Sequence, residues 1–265
     1  MISVKSKKEL RIMRRAGQIV GEVHAGIKEM MQPGLTTAEL DAFAEAHIRA
    51  AGAKPTFKGY HGFPATLCIS VNEEVIHGIP GKRKLKTGDL VSVDCGATYK
   101  GYVGDSAWSY AVGSLSEGRQ GLMDATEASL WAGIDNARVG KRLYDIGAAV
   151  QSLVEARGMG VVREYCGHGI GSRMHEDPQV PNYGRAGTGP RLRHGWVLAI
   201  EPMVTEGSPD VKVLSDEWTV VTRDLKAAAH FEHTVAITRG GPIIMTAKDD
   251  ALAYSLHDKG AEALD

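Results

Sequence analysis

The hydrophobic positions near the start of the sequence recur three and four residues apart, which is the spacing of an amphipathic helix. Ser6 and Glu9 stand at capping-box spacing in front of the first such run, and a Pro-Gly pair at residues 33–34 follows its end. Thr36 and Glu39 repeat the capping signal in front of a second run. The pattern therefore predicts a pair of helices.

From residue 66 the pattern changes to short runs of β-branched and apolar residues, which are typical of strands. The same order, two helices and then strands, follows a second time. The predicted elements are strands at 66–71 and 75–80, a hairpin over 91–108, helices at about 116–136 and 143–157, and strands at 161–162, 196–200, 211–214, 218–222 and 230–238.

This order of elements predicts the α+β class, with an antiparallel sheet core and flanking helices. We expect a single domain over residues 1–265 that contains two pseudo-repeats, at about 3–112 and 113–240. The segment from about 246 to 265 is expected to form a surface helix or a tail.

The predicted hairpin carries two aspartates among apolar residues. If its turn centres on Tyr99 and Lys100, Asp94 and Asp105 face each other directly, and a slip of one residue leaves them near neighbours. A single aspartate beside a turn is more often a turn residue or part of a solvated face. Two like charges across a strand pair repel, however, and carboxylates in apolar surroundings favour a cation between them.

The second half adds two acids and a histidine at unusual positions. Glu201 ends an apolar strand just before Pro202, Glu232 lies inside a predicted strand, and His168 lies in a glycine-rich loop. Four carboxylates and one imidazole in one place would repel one another strongly without counter-ions. We therefore expect two divalent cations, and this oxygen-rich ligand set suits Mn²⁺, Co²⁺, Fe²⁺ or Zn²⁺ in a hydrolytic pair.

Composition narrows the class of protein without identifying it. The 265 residues carry a net charge of −1, with 43% hydrophobic and 24% charged residues, so nothing global predicts sequence-specific nucleic acid binding. Cys68, Cys95 and Cys166 lack CxxC spacing, which favours a reducing compartment over disulfides or a thiolate zinc site. Neither a signal peptide nor a membrane span is recognisable, so we expect a cytoplasmic protein without membrane contact.

The acids and the histidine resemble, in order and spacing, the signature of the type I methionine aminopeptidases, from about residue 3 to residue 240. The matching motifs beyond Asp94 and Asp105 are GHGIG at 167–171, IEPM at 200–203, FEHT at 231–234, GYHGFP at 59–64, ISVNE at 69–73 and VIHGIP at 75–80. The resemblance implies the pita-bread fold and a dinuclear metal centre. It also implies removal of the initiator methionine from nascent polypeptides and peptides with a small second residue.

The resemblance also implies a role for each matching metal-site residue. Asp94 would chelate one metal, Asp105 and Glu232 would bridge, and His168 and Glu201 would bind the other. A hydroxide bound by both metals would attack the scissile carbonyl, and Glu201 would carry a proton to the leaving amine.

Substrate contacts follow from the same resemblance. His77 and His175 match two histidines that contact the substrate peptide bond, and His175 would stabilise the oxyanion. The residues that match the apolar pocket for the methionine side chain are Phe57, Tyr60, Phe63, Cys68 and Trp218. The expected partners are nascent N-termini, together with transient ribosome contact through a basic turn at 82–86, and the expected oligomeric state is a monomer.

Three positions depart from the family pattern: Met174 replaces a common Phe, Ala199 a common Thr, and His230 a usual Gln. None of these departures removes an expected ligand. Two alternatives stay open at this point. An Xaa-Pro aminopeptidase of the same fold would carry a further N-terminal domain. A ribosome-associated relative without catalytic activity would typically have lost metal ligands.

Overall fold

The computed structural model describes residues 2–253, and this range contains both helix pairs that the pattern predicts. The helices are α1 (Lys7–Met30), α2 (Thr37–Ala50), α3 (Glu117–Asn136), α4 (Leu143–Glu155) and the short α5 (Asp250–Ala253). The strands are β1 (Lys54–Pro55), β2 (Leu67–Val71), β3 (Glu74–Ile76), β4 (Leu90–Tyr99), β5 (Tyr102–Ala111), β6 (Gly160–Val161), β7 (Gly167–Gly169), β8 (Glu176–Val180), β9 (Val197–Ile200), β10 (Met203–Thr205), β11 (Val211–Val213), β12 (Val220–Thr222), β13 (Ala228–His230), β14 (His233–Thr238) and β15 (Gly241–Ile244).

The two capping boxes define where the first helices begin. The Ser6 N–H donates to Glu9 Oε2 at 2.7 Å, and the Glu9 N–H donates to Ser6 Oγ at 3.4 Å. The Glu9 carboxylate accepts hydrogen bonds from the Ser6 hydroxyl, the Tyr102 hydroxyl and the Ser6 N–H, and these lower its pKa to about 2. Thr36 and Glu39 form the same reciprocal pair in front of α2. Local sequence therefore sets the N-terminal ends of both helices, as expected, because a cap supplies hydrogen-bond partners for N–H groups that have none within the helix.

Every strand pairing among the described residues is antiparallel, which agrees with the predicted α+β class. One four-stranded sheet contains β4, with β1 and β2 on one side and β5 on the other. A five-stranded sheet has the order β15-β14-β9-β7-β8, and two three-stranded sheets have the orders β13-β10-β6 and β11-β12-β3. The division of the chain into two pseudo-repeats of one domain stays a prediction.

The hairpin of β4 and β5 closes with a two-residue turn. Lys100 and Gly101 both have positive φ, as a type I′ turn requires. This register pairs Asp94 with Ala107, so direct pairing of the two aspartates is wrong. Asp105 lies two positions from Ala107 on the same face, and the two aspartates are therefore diagonal neighbours.

Two site-bearing segments differ from the sequence-based expectation. The strand expected over 230–238 breaks into β13 and β14, and Glu232 lies in the break. There the Glu232 N–H donates to the Ala107 carbonyl of β5, at 2.7 Å, instead of joining a neighbouring strand. The second difference is His168, which lies on β7 between β8 and β9 rather than in a loop.

Helix α1 packs on the β4–β5 hairpin and also contacts residues 245–248. The close approach depends on Gly17, because a Cβ there would lie 2.0 Å from the Met245 carbonyl oxygen. Arg14 of the same helix donates to the carbonyls of Met245 and Ala247, at 2.9 and 2.8 Å. Of the expected tail, α5 is described, and residues 254–265 lie outside the described range. No helix within residues 2–253 is long and apolar enough to cross a membrane.

Candidate metal centre and adjoining cavity

The centre of the candidate site is a set of four carboxyl groups contributed by both halves of the chain. Asp94 and Asp105 come from the hairpin, Glu201 directly follows β9, and Glu232 lies between β13 and β14. Pro202 follows Glu201 and ends the pairing of β9, as its missing N–H predicts. The four side chains converge because the four-stranded and the five-stranded sheets meet at the edge of β5 that does not pair with β4.

Burial and mutual repulsion dominate the electrostatics of this set. Burial raises the pKa of Asp94 to about 7 and that of Glu201 to about 8. Burial, reinforced by the neighbouring carboxylates, raises the pKa of Asp105 and of Glu232 well above their usual values. The protein alone therefore disfavours the fully ionised state of the cluster, which a bound cation would favour.

The ligand geometry fits a divalent cation. Asp105, His168 and Glu232 each offer one ligand atom, and these three atoms lie within 4.8 Å of one another. His168 Nε2 lies 3.6 Å from Glu201 Oε1 and 3.9 Å from Asp105 Oδ2. Among the described residues, no hydrogen-bond partner is found for Asp94 Oδ1, Asp105 Oδ1 or Glu232 Oε1, although all three atoms are buried. Buried oxygens without partners are costly, so this arrangement fits residues that hold metal.

His168 is prepared for ligation by its own backbone surroundings. Its Nδ1 lies 2.9 Å from the carbonyl oxygen of Gly169, so the Nδ1–H donates there and Nε2 keeps its lone pair. Burial lowers the pKa of the imidazole to about 4, so the ring is neutral at neutral pH. A neutral ring with Nε2 directed at carboxylates is the form that binds metal.

A cavity of about 290 Å³ opens beside the carboxylates. All twelve residues to which the resemblance gives a metal or substrate role line this one cavity, together with five others. The lining residues are Phe57, Tyr60, His61, Phe63, Cys68, Ile76, His77, Asp94, Asp105, Tyr165, Cys166, His168, Met174, His175, Glu201, Trp218 and Glu232.

One end of the cavity is lined by an apolar cluster. Phe57, Phe63 and Cys68 are buried and form one cluster, against which Met174 and Trp218 pack. The rings of Phe63 and Trp218 meet edge to face, with centroids 5.1 Å apart. This end suits an unbranched apolar side chain, because sulfur and methylene groups pack well against aromatic rings.

Two further histidines, His77 and His175, line the same cavity. The hydroxyl of Tyr60 lies 2.8 Å from His175 Nδ1, and if it donates there, Nε2 is the N–H donor of His175. Burial lowers the pKa of His77 to about 4, and burial also lowers the pKa of His175. Both rings are therefore neutral hydrogen-bonding groups near neutral pH.

Four lining residues were missed by sequence reasoning: His61, Ile76, Tyr165 and Cys166. His61 and Ile76 lie inside the matching motifs at 59–64 and 75–80, and those motifs were the available signal. Tyr165 and Cys166 precede the glycine-rich stretch of His168 without any recognisable pattern. Among the family departures, His230 lies nearest the carboxylates, with its Nε2 3.6 Å from Glu201 Oε2.

Comparison with known sequences identifies close relatives over nearly the whole chain. A model of metallopeptidase family M24 matches residues 11–239. Methionine aminopeptidase 1 of Bacillus subtilis (strain 168) is 54% identical over 246 residues, which cover 93% of this chain and 99% of the relative. Methionine aminopeptidase 1 of Mycobacterium tuberculosis (strain CDC 1551 / Oshkosh) is 47% identical over 253 residues, covering 93% and 95%.

Solved structures agree with this result. The crystal structure of methionine aminopeptidase from Thermotoga maritima superposes with a TM-score of 0.92 at 44% identity, covering 93% of this chain and 100% of that one. Prolidase from Pyrococcus furiosus gives a TM-score of 0.75 at 23% identity, covering 93% and 66%, which is a likeness of fold alone. The pita-bread fold expected from the sequence is confirmed by these superpositions.

Proposed function

The chain belongs to metallopeptidase family M24 and, within it, to the type I methionine aminopeptidases, and from this membership we propose that it hydrolyses the N-terminal methionine from nascent proteins and peptides with a small second residue. One observation carries the proposal. A single cavity is lined by four carboxylates, of which those of Asp105 and Glu232 are buried, by an imidazole and by an aromatic, apolar cluster. That arrangement places hydrolytic metal chemistry next to a pocket for a methionine side chain.

We assign the ligands according to the family pattern. Asp94 would hold one cation, His168 and Glu201 would hold the second, and Asp105 and Glu232 would contribute to both. The close grouping of Asp105, His168 and Glu232, and the unpartnered oxygens of three carboxylates, support this assignment. Two divalent cations bound there would lower the pKa of water to form a nucleophile and would polarise the scissile carbonyl. We expect Co²⁺, Mn²⁺, Fe²⁺ or Zn²⁺ to serve.

The side chains around the cations handle protons and orient the substrate. We assign Glu201 to carry a proton to the leaving amine, since its carboxyl group reaches both His168 and the cavity. His175, as the neutral N–H donor, stabilises the oxyanion that develops on the carbonyl. We assign His77 to bind the peptide bond as well, and its ring meets the Trp218 ring edge to face.

The apolar end selects the methionine side chain. We assign that pocket to Phe57, Tyr60, Phe63, Cys68 and Trp218, which share the cavity with the carboxylates. Their aromatic and sulfur-containing side chains favour a long thioether over a charged side chain, because a charge packed against apolar groups loses its hydration.

We place this activity in the cytoplasm, where nascent chains are made and where free cysteines such as Cys68, Cys95 and Cys166 stay reduced. We further propose that the protein is a monomer and contacts the ribosome transiently. The basic turn at residues 82–86 supports this contact, since Lys82, Lys84 and Lys86 are exposed there and could meet the phosphates of RNA.

Cleavage of Met-Ala-Ser against Ala-Pro-Ala tests the proposal directly. We expect Met-Ala-Ser to be cleaved, the activity to disappear when a chelator removes divalent metal, and Co²⁺ or Mn²⁺ to restore it. Preference for Ala-Pro-Ala would support an Xaa-Pro aminopeptidase instead. Ribosome binding without cleavage of either peptide, with metal supplied, would leave a binding protein as the remaining function.

A further inference from the structure

Strand β5 carries Asp105, and one of its two edges has no strand partner among the described residues. On its other side β5 pairs with β4 along its whole length. Backbone N–H and C=O groups on a buried strand edge require partners. At this edge the Val103 N–H donates to the Gly171 carbonyl at 2.9 Å, and further partners come from residues 230–234, the segment in which β13 and β14 are separated around Glu232.

Side-chain hydroxyl groups make most of these contacts. Thr234 Oγ1 accepts the Asp105 N–H at 3.0 Å and donates to the Asp105 carbonyl at 2.8 Å. Ser106 Oγ donates to the Glu232 carbonyl at 2.6 Å, and the Glu232 N–H donates to the Ala107 carbonyl at 2.7 Å. Thr234 and Ser106 are both fully buried. Hydrogen bonds therefore surround the main chain of both acids on the shared edge.

We propose that Thr234 is a positioning residue of the metal centre. Its hydroxyl holds both polar groups of the Asp105 main chain, so it fixes the direction in which the Asp105 carboxyl group leaves β5. Thr234 itself lies two residues from Glu232. One hydroxyl thus sets the spacing between two bridging carboxylates that come from different halves of the chain. The inference rests on the proposed function, which assigns these two acids to the metals.

The contact requires a hydroxyl group and not only the branched shape of threonine. Valine has nearly the same shape, but it would leave the Asp105 N–H and carbonyl without their partner in a buried place. The edge of β5 would then shift to find other partners, and the carboxylate would move with it. Substitution of residues that support metal ligands typically weakens metal affinity or activity by about 10- to 100-fold.

The test is a calorimetric titration of the metal-free full chain with Mn²⁺ in the wild type and three variants. Thr234→Val removes the hydroxyl group, and Thr234→Ser keeps it while removing the methyl group. Thr222→Val is the matched control, since Thr222 is equally buried and its hydroxyl donates to the Lys226 carbonyl at 2.8 Å, away from the site. Visible spectra of the Co²⁺-loaded proteins report the coordination geometry independently of peptidase activity.

We expect Thr234→Val to bind Mn²⁺ roughly 10- to 100-fold more weakly and to change the Co²⁺ spectrum, while Thr234→Ser stays near the wild type. Thr222→Val should keep the wild-type affinity and spectrum even if its stability falls. Equal Mn²⁺ affinity in the wild type and in folded Thr234→Val would overturn the inference. So would equal weakening in all three variants. A wild type that binds no Mn²⁺, Co²⁺, Fe²⁺ or Zn²⁺ would instead refute the proposed function.

Discussion

Replacing Asp94 by Asn should stabilise the metal-free protein and weaken its response to metal. Burial raises the pKa of the Asp94 carboxyl from 3.8 to about 7, so ionising this group opposes folding. For a carboxyl whose pKa is raised by folding, the penalty is absent below the unfolded pKa and grows as the pH rises through the folded pKa. Asn keeps the size of the side chain and has no charge to lose.

The size of the effect follows from the two pKa values. The interval from 3.8 to about 7 corresponds to roughly 4 kcal/mol of unfolding free energy when the carboxyl is ionised in both states. At about pH 5 the group is still protonated in the folded protein, and the penalty is only about 2 kcal/mol. The stabilising effect of Asp94→Asn should therefore increase by about 2 kcal/mol between about pH 5 and pH 7.5.

The assay is urea denaturation of chelator-treated protein, followed by tryptophan fluorescence at both pH values. Asp124→Asn, on the exposed surface of α3, removes the same charge outside the site and serves as the matched control. Mn²⁺ at about a thousand times its dissociation constant should then stabilise the wild type by about 4 kcal/mol, and Asp94→Asn much less. An Asn variant that is less stable at both pH values, or that keeps the full response to Mn²⁺, would refute the reasoning.

Three further predictions concern the frame and the chemistry of the site. Gly17→Ala should lose about 3 kcal/mol of stability in urea denaturation, because the added methyl group would overlap the Met245 carbonyl. The control Gly121→Ala, in open space on α3, should gain up to about 1 kcal/mol. Equal effects of the two substitutions would show that the close approach of α1 to Met245 is unimportant. His175→Ala should lower kcat roughly 100-fold on Met-Ala-Ser with little change in KM, because it removes a donor to the oxyanion; an unchanged kcat would exclude that role. Burial lowers the pKa of His24 from 6.5 to about 4. The wild type should therefore lose stability as the pH falls from 6.5 towards 4, because the unfolded chain takes up a proton that the folded chain excludes. His24→Gln should lose less stability over this range, and an identical pH dependence of unfolding free energy would contradict a buried neutral His24.

Features set by neighbouring residues could be predicted from the sequence. The capping pairs Ser6–Glu9 and Thr36–Glu39 depend on contacts three residues apart, and the structure contains both. The hairpin turn lies at Lys100 and Gly101, one residue beyond the expected centre, and this slip moves the partner of Asp94 by two residues, from Asp105 to Ala107. The site residues could be identified from the sequence because the family resemblance depends on the order and spacing of motifs along the chain, and not on their positions in space.

Features set by distant residues could not be predicted in this way. The break before β14 arises because Glu232 bonds to Ala107, and no local signal marks that contact. His168 was expected in a loop because its neighbours are glycines. The structure pairs it with Ala199 and Gln179, and the glycines allow the adjacent backbones to approach closely. Both errors concern pairing partners that lie far away in the sequence.

The contact of α1 with residues 245–247 has a consequence for how the protein is made. Arg14 and Ala247 are 233 positions apart, and Asp105 and Thr234 are 129 positions apart. Contacts of such separation form late, since the intervening chain must first be synthesised and ordered. The first helix therefore leaves the ribosome long before the segment that covers its Gly17 face exists. An enzyme that acts on growing chains would thus complete its own active site only near the end of its own translation.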